Sequence, residues 1–181
     1  MLFLSMVVGI LVSLVVWNGF WRLVTLIVGQ SSRQKAFLAG VVPTSQPDGF
    51  YNGSAYLLGS GPVPWLGKSF ETANERGFNT FTPAGATLLK LLTPFYKLFR
   101  VNSDGNTDAY YFKTSVSAGF KDTSISTFKL DYDSPENPFL IRIILDEIVE
   151  TSPDEFLGKV HLKVFPRYYA TIGFFGLKKA N

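Results

Sequence analysis

Two adjacent carboxylates, Asp146 and Glu147, are the first candidates for chemistry in this chain, and they lie in the apolar run FLIRIILDEIVE. Successive side chains of a strand point to opposite faces, so these two cannot form a catalytic pair by themselves. One of them is expected to face inward, where a buried carboxylate requires a partner such as Arg142 or Lys159. An enzymatic function would require that inward carboxylate to have a raised pKa.

The single histidine, His161, lies in the alternating run KVHLKV. The alternation places it on one face with Lys159 and Lys163, opposite three aliphatic residues, so we predict a histidine at the surface. A transition-metal site would need further nitrogen or sulfur ligands, and the chain has no cysteine and no second histidine. We therefore expect no metal and no cofactor.

Sequence motifs of nucleophilic and phosphate chemistry are missing. No G-x-S-x-G pattern occurs. The stretch GPVPWLGKS, from Gly61 to Ser69, has one residue too many between its glycines for a phosphate-binding loop, and two prolines interrupt it. Lys68 in this stretch has two open interpretations. It can neutralise the carboxylate or phosphate headgroup of a ligand, or it can be a surface lysine on an edge strand.

The composition bounds the class of protein. The chain has 181 residues, of which 46% are hydrophobic and 15% aromatic, with 17 phenylalanines and a net charge of +3. The lysines and arginines are scattered, so a nucleic-acid surface is not indicated. The lack of cysteine excludes disulfides, thiolate catalysis and cysteine-bound metal centres. The length accommodates one membrane segment and one domain of ordinary size.

The N-terminal segment is apolar and is predicted to be a membrane anchor over residues 1–29. Leu2 to Trp21 supplies the roughly 20 apolar residues that a helix needs to cross a bilayer. Trp17 and Trp21 suit the membrane interface, and Arg22 can reach the headgroups. A cleaved signal peptide is disfavoured because no basic residue precedes the run and no A-x-A site follows it. A buried core helix is the remaining alternative.

The orientation of the chain in the membrane follows from the flanking charges. Arg22, Arg33 and Lys35 all follow the apolar run. The positive-inside rule then places the globular part of this single-pass protein on the cytoplasmic side. Residues 30–47 are predicted to be a juxtamembrane segment, with a short helix from Ser31 to Leu38 and a linker that contains proline and glycine.

Beyond residue 48, strand signals predominate. The run TFKLDYD places Phe128, Leu130 and Tyr132 on one face and charged residues on the other. Turn-forming stretches separate further candidate strands, which are FYNGSAYLL, AYYFKTSVSAGF, FLIRIILDEIVE, KVHLKV and YYATIGFFGLKK. The spacing of these turns favours an antiparallel sandwich or barrel.

One segment, from Pro83 to Arg100, departs from the strand pattern. It has helical character up to Leu92, and Pro94 then ends or kinks the helix. Its leucines and phenylalanines are dense, and basic residues are interspersed among them. Such a segment can lie on a membrane surface or can cover one end of the sheet. The second is the simpler expectation, and we predict a helical insertion near 83–100.

Three motifs occur in the order found in one protein family. They are GFYNG from Gly49 to Gly53, WLGKSF from Trp65 to Phe70, and a C-terminal run that opens with LDYDSPENP. Together they resemble the small lipocalin-like, calycin-type barrel proteins named for a G-x-W-x-G opening motif, with Tyr51 in place of the motif's tryptophan. The resemblance covers Gly49 to Leu177. It implies a barrel and a hydrophobic ligand over residues 48–181, but no established reaction.

The expected fold is therefore mainly β, an antiparallel lipocalin-like β-barrel preceded by a single N-terminal transmembrane helix. A barrel of this size fills its interior with side chains or encloses one ligand. We expect Tyr51 to plug the closed end of the barrel, with Trp65 and Phe70 nearby; plain core packing is the alternative role for Tyr51 and Trp65. The candidate ligand-binding residues are Tyr51, Trp65, Lys68, Phe70, Phe112 and Tyr132.

Three functions remain open at this point. The favoured one is a non-catalytic, membrane-anchored lipocalin-like domain that binds a membrane lipid or another hydrophobic small molecule. The second is an accessory or structural subunit that packs against partner subunits of a membrane complex. The third is an enzyme that acts on a lipid or isoprenoid inside the barrel, although the sequence shows no recognisable base, nucleophile or metal set. None of the three has a nucleic acid as partner.

Overall fold

The computed structural model of the protein describes residues 30–56, 64–165 and 168–180. Strands account for most of the described chain, and all their pairings are antiparallel. The strands are β1 Gly49–Tyr56, β2 Trp65–Glu71, β3 Arg76–Phe81, β4 Arg100–Val101, β5 Thr107–Ala118, β6 Ser126–Asp131, β7 Ile144–Ser152, β8 Glu155–Phe165 and β9 Tyr168–Lys179.

Within the described ranges, eight of these strands close into an antiparallel β-barrel. Each long strand pairs with its neighbours in the sequence, β3 pairs with β5, and β9 pairs with β1 to close the ring. The short strand β4 pairs only with the beginning of β5. The predicted antiparallel barrel is thus confirmed. Its order follows from the turn-forming stretches between the strands, because short connections favour pairing between neighbours in the sequence.

The two ends of the barrel differ in what they carry. At the first end, β1 begins and β9 finishes, and Tyr51 lies opposite Lys179. At the second end, Phe81 at the end of β3 lies opposite Thr107 at the start of β5. The connection between these two strands, residues 82–106, therefore leaves from the second end, as does the connection between β6 and β7.

Short helices flank the strands. Helix α1 covers residues 30–39, which includes the helix predicted from Ser31 to Leu38. Helix α2, Pro83–Leu92, begins with a proline and is capped by Thr82, whose hydroxyl accepts a hydrogen bond from the N–H of Gly85 at 3.1 Å. It ends before Pro94, as predicted. A single 3₁₀ turn, Thr72–Asn74, joins β2 to β3.

Helix α3, Phe139–Arg142, corrects one prediction. The run FLIRIILDEIVE was expected to be a single strand, but its first four residues form a helical turn and β7 begins at Ile144. The local cause is Pro138, whose carbonyl accepts hydrogen bonds from the N–H groups of Ile141 and Arg142 at 2.8 and 3.1 Å. Three apolar residues and Arg142 therefore form a helical turn before the strand starts.

The predicted membrane anchor over residues 1–29, with Trp17, Trp21 and Arg22, lies outside the described residues. Among the residues that are described, no helix combines the length and the apolar character that crossing a membrane requires. The chain from Ala36 to Asn181 forms one compact unit.

Aromatic side chains fill most of the barrel interior. The run TFKLDYD behaves as predicted, with Phe128, Leu130 and Tyr132 buried and its aspartates exposed. Tyr51 lies near the first end, with its ring centroid 5.5 Å from that of Phe70. The buried members of this interior cluster are Tyr51, Phe70, Tyr96, Ala109, Tyr110, Phe112, Phe128, Leu130, Tyr132, Ile148, Phe156, Phe175 and Leu177.

A second apolar cluster covers part of the outer wall. Phe37 of α1 packs against outward-facing residues of β7, β8 and β9, which are Val149, Leu157 and Phe174. Ile125, in the connection between β5 and β6, packs against the same cluster. Because these residues are covered, part of the outer face of these three strands is shielded from solvent.

Gly67 allows an unusually close approach between β1 and β2. Its φ is +150°, and a Cβ atom there would lie 2.0 Å from the carbonyl oxygen of Tyr51, so only glycine fits. The register between β2 and β3 also shifts between Trp65 and Gly67. This irregularity lets Trp65 and Lys68, three residues apart, both face the interior.

Candidate functional site

A cluster of polar side chains lies within the aromatic interior of the barrel. This inner cluster consists of Trp65, Lys68, Asn79, Tyr132 and Asp146. Only 3% of Lys68 and 4% of Asp146 is exposed to solvent. Isolated charges are very costly to bury, so the geometry of the partners decides whether such a cluster is tolerated.

Lys68 uses all three of its N–H donors inside the barrel. Its Nζ donates to Asp146 Oδ2 at 2.9 Å, to Asn79 Oδ1 at 2.9 Å and to the hydroxyl of Tyr132 at 2.5 Å. The surface position considered for Lys68 is therefore wrong. β2 has a neighbour on each side in the closed barrel, so it is not an edge strand, and Lys68 lies on the same inner face as Phe70, two residues further along β2.

The carboxylate that faces inward is Asp146, and the partners predicted for it are wrong. Arg142 Nη2 lies 2.7 Å from Asp133 Oδ1, and Lys159 pairs with Asp122. The actual partner of Asp146 comes from β2, which stands four strands away from β7 in either direction around the barrel. The ion pair therefore spans the interior, and it forms only because the barrel closes.

Asn79 orders the inner cluster by using both ends of its amide. Its Oδ1 accepts hydrogen bonds from Lys68 and, at 3.0 Å, from the indole N–H of Trp65. Its Nδ2 donates to the hydroxyl of Tyr132 at 2.9 Å and to the carbonyl of Tyr110 at 3.2 Å. The amide thus has all four of its hydrogen bonds, which fixes its orientation.

Asp146 leaves one acceptor unused. Its Oδ2 accepts from Lys68 and, at 3.4 Å, from the hydroxyl of Tyr132. Its Oδ1 is buried and has no hydrogen-bond partner; among the buried side-chain atoms of the described chain only Asn137 Oδ1 shares this condition. A buried acceptor without a donor costs free energy, so a group that brings an O–H or N–H to Asp146 Oδ1 would be stabilised there.

Four aromatic rings surround the amine of Lys68. Its Nζ lies 5.1–5.5 Å from the ring centroids of Trp65, Phe112, Tyr132 and Phe175. The negative faces of aromatic rings attract a cation at such distances. The rings therefore help to retain the ammonium in a region that water does not reach.

The pKa values of Lys68 and Tyr132 in the inner cluster are shifted in opposite directions, each toward the neutral form of the side chain. Burial lowers the pKa of Lys68, although the charge and hydrogen bond of Asp146 partly oppose this. Burial, and after it the charge of Asp146, raises the pKa of Tyr132 well above its usual value. The interior therefore disfavours any additional charge, and a neutral polar group is better accommodated than an ionised one.

Hydrogen bonds connect the inner cluster to the segment beyond α2. The carbonyl of Tyr110 accepts from Asn79, and its N–H donates to the hydroxyl of Tyr96 at 2.9 Å. The hydroxyls of Tyr110 and Thr93 lie 3.0 Å apart. Tyr110 has a φ of +57°, which is uncommon outside glycine and marks the irregular register between β3 and β5. Residues 83–101 at the second end, called the cap below, are thus connected to Lys68 through Tyr110 and Asn79.

A second polar cluster lies on the outer face of β6, β7 and β8. This outer cluster consists of Glu147, His161, Thr127, Lys129 and Lys159. Glu147 Oε2 lies 3.0 Å from His161 Nε2, while its Oε1 accepts from the hydroxyl of Thr127 at 3.1 Å and from the N–H of Phe120 at 2.7 Å. Lys129 Nζ is 3.5 Å from the same Oε1.

The prediction of a surface histidine is wrong, because His161 has no solvent exposure. The alternation in KVHLKV correctly placed His161 and Lys159 on the outer face, but Phe37 and the connection between β5 and β6 cover that face. The hydroxyl of Thr171 lies 3.1 Å from His161 Nδ1, so both ring nitrogens have partners. The histidine is accordingly held in place rather than solvated.

The pKa of Glu147 is lowered even though it is buried. Burial alone would raise this pKa, and it is the largest single influence. Hydrogen bonds from His161 and the N–H of Phe120, with the charges of His161 and Lys129, together outweigh it. Glu147 is therefore not the carboxylate with a raised pKa that the enzymatic hypothesis required.

Lys159 completes the outer cluster. Its Nζ pairs with Asp122 Oδ2 and lies 4.2 Å from the ring centroid of Phe37. The ion pair and the ring contact join the barrel wall to the connection between β5 and β6 and to Phe37. Lys159 thus has a role in attaching these outer segments to the barrel.

The structure brings the six candidate ligand-binding residues together. Tyr51, Phe70, Phe112 and Tyr132 are buried in the interior aromatic cluster, and Trp65 packs against it. Lys68 donates to Tyr132 and lies against the rings of Trp65 and Phe112. Their shared location follows from the closed barrel and does not by itself show that they bind a ligand.

Sequence reasoning missed Asn79 and the pairing of Lys68 with Asp146. The alternation of side chains along a strand did offer a signal that Lys68 faces inward. Lys68 lies two residues before the buried Phe70, so both side chains are on the same face of β2. Asn79 offered no comparable signal, because its neighbours in RGFNTF do not alternate between apolar and polar residues.

The arrangement defines a closed antiparallel barrel with a buried ionic cluster. In the described ranges, no group of three or more histidine, cysteine, aspartate or glutamate side chains is placed to hold a metal ion. Comparison with models of protein families, with curated proteins and with solved structures finds no match to this chain. The assignment of a function therefore depends on the barrel and its inner cluster alone.

Proposed function

We propose that the protein is a non-catalytic, membrane-anchored barrel that binds a lipid or another hydrophobic small molecule. One observation carries the proposal. Asp146 Oδ1 is an unpartnered acceptor in the middle of an aromatic interior. Such an acceptor, surrounded by apolar surface, suits an apolar ligand with a single polar group.

The chemistry of the inner cluster favours a ligand with a neutral donor. A hydroxyl group would donate to Asp146 Oδ1 without adding charge to an interior that shifts Lys68 and Tyr132 toward their neutral forms. An ionised carboxylate would instead place a second negative charge beside Asp146. We therefore propose a long-chain alcohol or a lipid with a free hydroxyl as the class of ligand.

The cap at the second end supports a ligand path from that side. Leu89 and Phe99 pack against the interior cluster, and Tyr96 belongs to it. This segment is connected to Asn79 through Tyr110, so a ligand that separates the cap from the barrel would also perturb the inner cluster. The G-x-W-x-G family resemblance and the N-terminal transmembrane helix belong to this same proposal.

The test is a comparison of ligands of equal chain length. The full-length chain, in lipid nanodiscs, is incubated with hexadecanol or with palmitate and released for native mass spectrometry. We expect a one-to-one adduct with hexadecanol that survives gentle activation, and a weaker adduct with palmitate. Val160→Phe, which adds bulk beside Asp146 in the register between β7 and β8, should reduce the hexadecanol adduct.

Val164→Phe is the matched control, because Val164 lies on the same strand and is half exposed. It should leave the adduct unchanged. The proposal would be overturned if neither compound formed an adduct, if palmitate bound as well as hexadecanol, or if the two phenylalanine variants behaved alike.

A further inference from the structure

The second end of the barrel carries a large exposed apolar surface. In α2, Leu91 is 76% exposed, and just beyond the helix Phe95 is 92% exposed. Exposed apolar patches on a monomeric protein mark interaction sites. The exposed large apolar residues at this end are Leu88, Leu91, Leu92, Phe95, Leu98 and Val101, together with Phe139 and Leu140 of α3.

The cap is apolar on both of its faces. Gly85 and Ala86 are buried on the side of α2 that faces the barrel, and Leu89 packs against the interior cluster. Leu88 and Leu91, one turn apart on the helix, point away from it. A helix with a free surface of this kind is not explained by its packing on the barrel, since a polar outer face would serve that purpose better.

Within residues 83–101 the charges all have one sign, and in α3 the one charged residue, Arg142, is paired with Asp133. Residues 83–101 contain Lys90, Lys97 and Arg100 and no acidic residue. Basic residues beside exposed leucine and phenylalanine are the pattern of segments that lie in the interface of a membrane. Each basic residue close to an anionic bilayer surface contributes about 1 kcal/mol to binding.

We propose that the surface formed by residues 83–101 and α3 docks onto an anionic phospholipid bilayer. Leu91 and Phe95 enter the acyl boundary, while Lys90, Lys97 and Arg100 reach the phosphate groups. A second copy of the chain fits less well, because it would bring two basic surfaces together. The second end of the barrel then faces the membrane, whether or not the barrel holds a ligand.

The lack of cysteine makes the test direct, because one introduced cysteine is the only labelling site. The full-length variants Leu91→Cys and Val116→Cys are labelled with an environment-sensitive nitrobenzoxadiazole dye. Each is reconstituted into vesicles of phosphatidylcholine alone or of phosphatidylcholine with 30% phosphatidylglycerol. Val116 is the matched control, since it is an exposed aliphatic residue on the wall of β5.

In anionic vesicles, we expect the label at position 91 to shift to the blue and to be quenched by lipids that carry a nitroxide on the acyl chain. The label at position 116 should remain in water. Adding K90Q and K97Q should move the docking equilibrium about tenfold to thirtyfold toward the undocked state, since two surface charges are lost. Adding Phe95→Asp should abolish the shift.

Three results would overturn the proposal. The label at position 91 could be as exposed to water as the label at position 116 in anionic vesicles. The shift could be the same in both vesicle types and insensitive to K90Q and K97Q. It could also occur without vesicles and grow with protein concentration, which would identify a second copy as the occupant.

Discussion

Asp146 and Glu147 are neighbours in the sequence, yet they belong to two different kinds of polar cluster. Asp146 lies inside the barrel, where Lys68 from the opposite wall is its charged partner and one of its oxygens lacks a donor. Glu147 lies outside the wall, under a cover of chain, and both of its oxygens have partners.

The two clusters therefore differ in their hydrogen bonding. The inner cluster retains an acceptor that has no donor, whereas both carboxylate oxygens of Glu147 in the outer cluster have partners. The outer cluster attaches Phe37 and the connection between β5 and β6 to the barrel, which is a structural role. The inner cluster is surrounded by rings and retains an open acceptor, Asp146 Oδ1, which is the property expected of a binding site. Substitutions in the two clusters should therefore have different signatures.

The largest effect is expected from Lys68→Met. This change leaves Asp146 as a buried charge without a counter-ion, and such changes destabilise by about 3–5 kcal/mol. Urea denaturation monitored by circular dichroism measures the loss. The double variant Lys68→Met, Asp146→Leu should recover most of it, because a buried ion pair is replaceable by apolar residues. A double variant no more stable than the single one would show that the pair is itself indispensable to the fold.

A smaller effect is expected from Glu147→Gln. The glutamine retains hydrogen-bond acceptors for Thr127 and the N–H of Phe120 but loses the charge-assisted bonds, which should cost about 1–3 kcal/mol at pH 7. Binding of hexadecanol should be unchanged, in contrast to variants of the inner cluster. A loss of binding equal to that of Val160→Phe would contradict the division between the clusters.

The pH dependence of stability offers a finer test of Glu147. Its pKa in the folded protein is below the ordinary value of 4.5, so the unfolded state takes up the proton first. Its stabilisation is complete above about pH 4.5 and is lost as the pH falls through the folded pKa. The difference in unfolding free energy between the wild type and Glu147→Gln should therefore be constant near neutrality and narrow below pH 4.5. If the difference in unfolding free energy instead widened below pH 4.5, the pKa of Glu147 would be raised by folding rather than lowered.

Lys159→Met should have a smaller effect than Lys68→Met. Asp122 is partly exposed, so water can reach its carboxylate when the Lys159 ammonium is removed, and methionine still packs against Phe37. We expect about 1–2 kcal/mol and faster amide exchange in the segment 119–125, measured by mass spectrometry. Unchanged exchange in that segment would mean that Lys159 does not attach it to the wall.

The smallest effect is expected from Lys178→Met. Lys178 is largely exposed, and its ion pair with Glu155 is screened by water. The midpoint of thermal unfolding should not change measurably, which makes this variant the baseline for both clusters. A clear fall in the midpoint would mean that charge loss in general, rather than position, accounts for the effects above.

The alternation of apolar and polar residues predicted which side chains share a face of a strand, but it did not predict which face is exposed to solvent. At the two aspartates of TFKLDYD the rule gave both correctly, because no other segment of the described chain covers the outer side there, whereas Thr127 on the same side is buried. In KVHLKV it grouped His161 with Lys159 correctly and yet failed to predict their burial. The cover comes from Phe37 and residues 119–125, which are remote in sequence, so no local pattern contains it.

The pairing within the inner cluster was beyond sequence reasoning for a different reason. Lys68 and Asp146 meet across the barrel, so their contact depends on the number of strands and on closure. A bulge in β2 then decides that Lys68 and Trp65 face inward together. The number of strands and the position of the bulge depend on all the strands together, so no local pattern predicts them. The barrel itself could be predicted, because the aromatic content and the spacing of the turns were sufficient for that.

The closure of the ring by β1 and β9 has a consequence for how the chain acquires its structure. Tyr51 of β1 is paired with Lys179 of β9, so β1 has both of its neighbours in the barrel only after β9 has been synthesised. Until then, the nascent sheet has two open edges and the half-formed interior has no opposite wall for Asp146. We therefore expect slow folding of high contact order and a dependence on chaperones during translation.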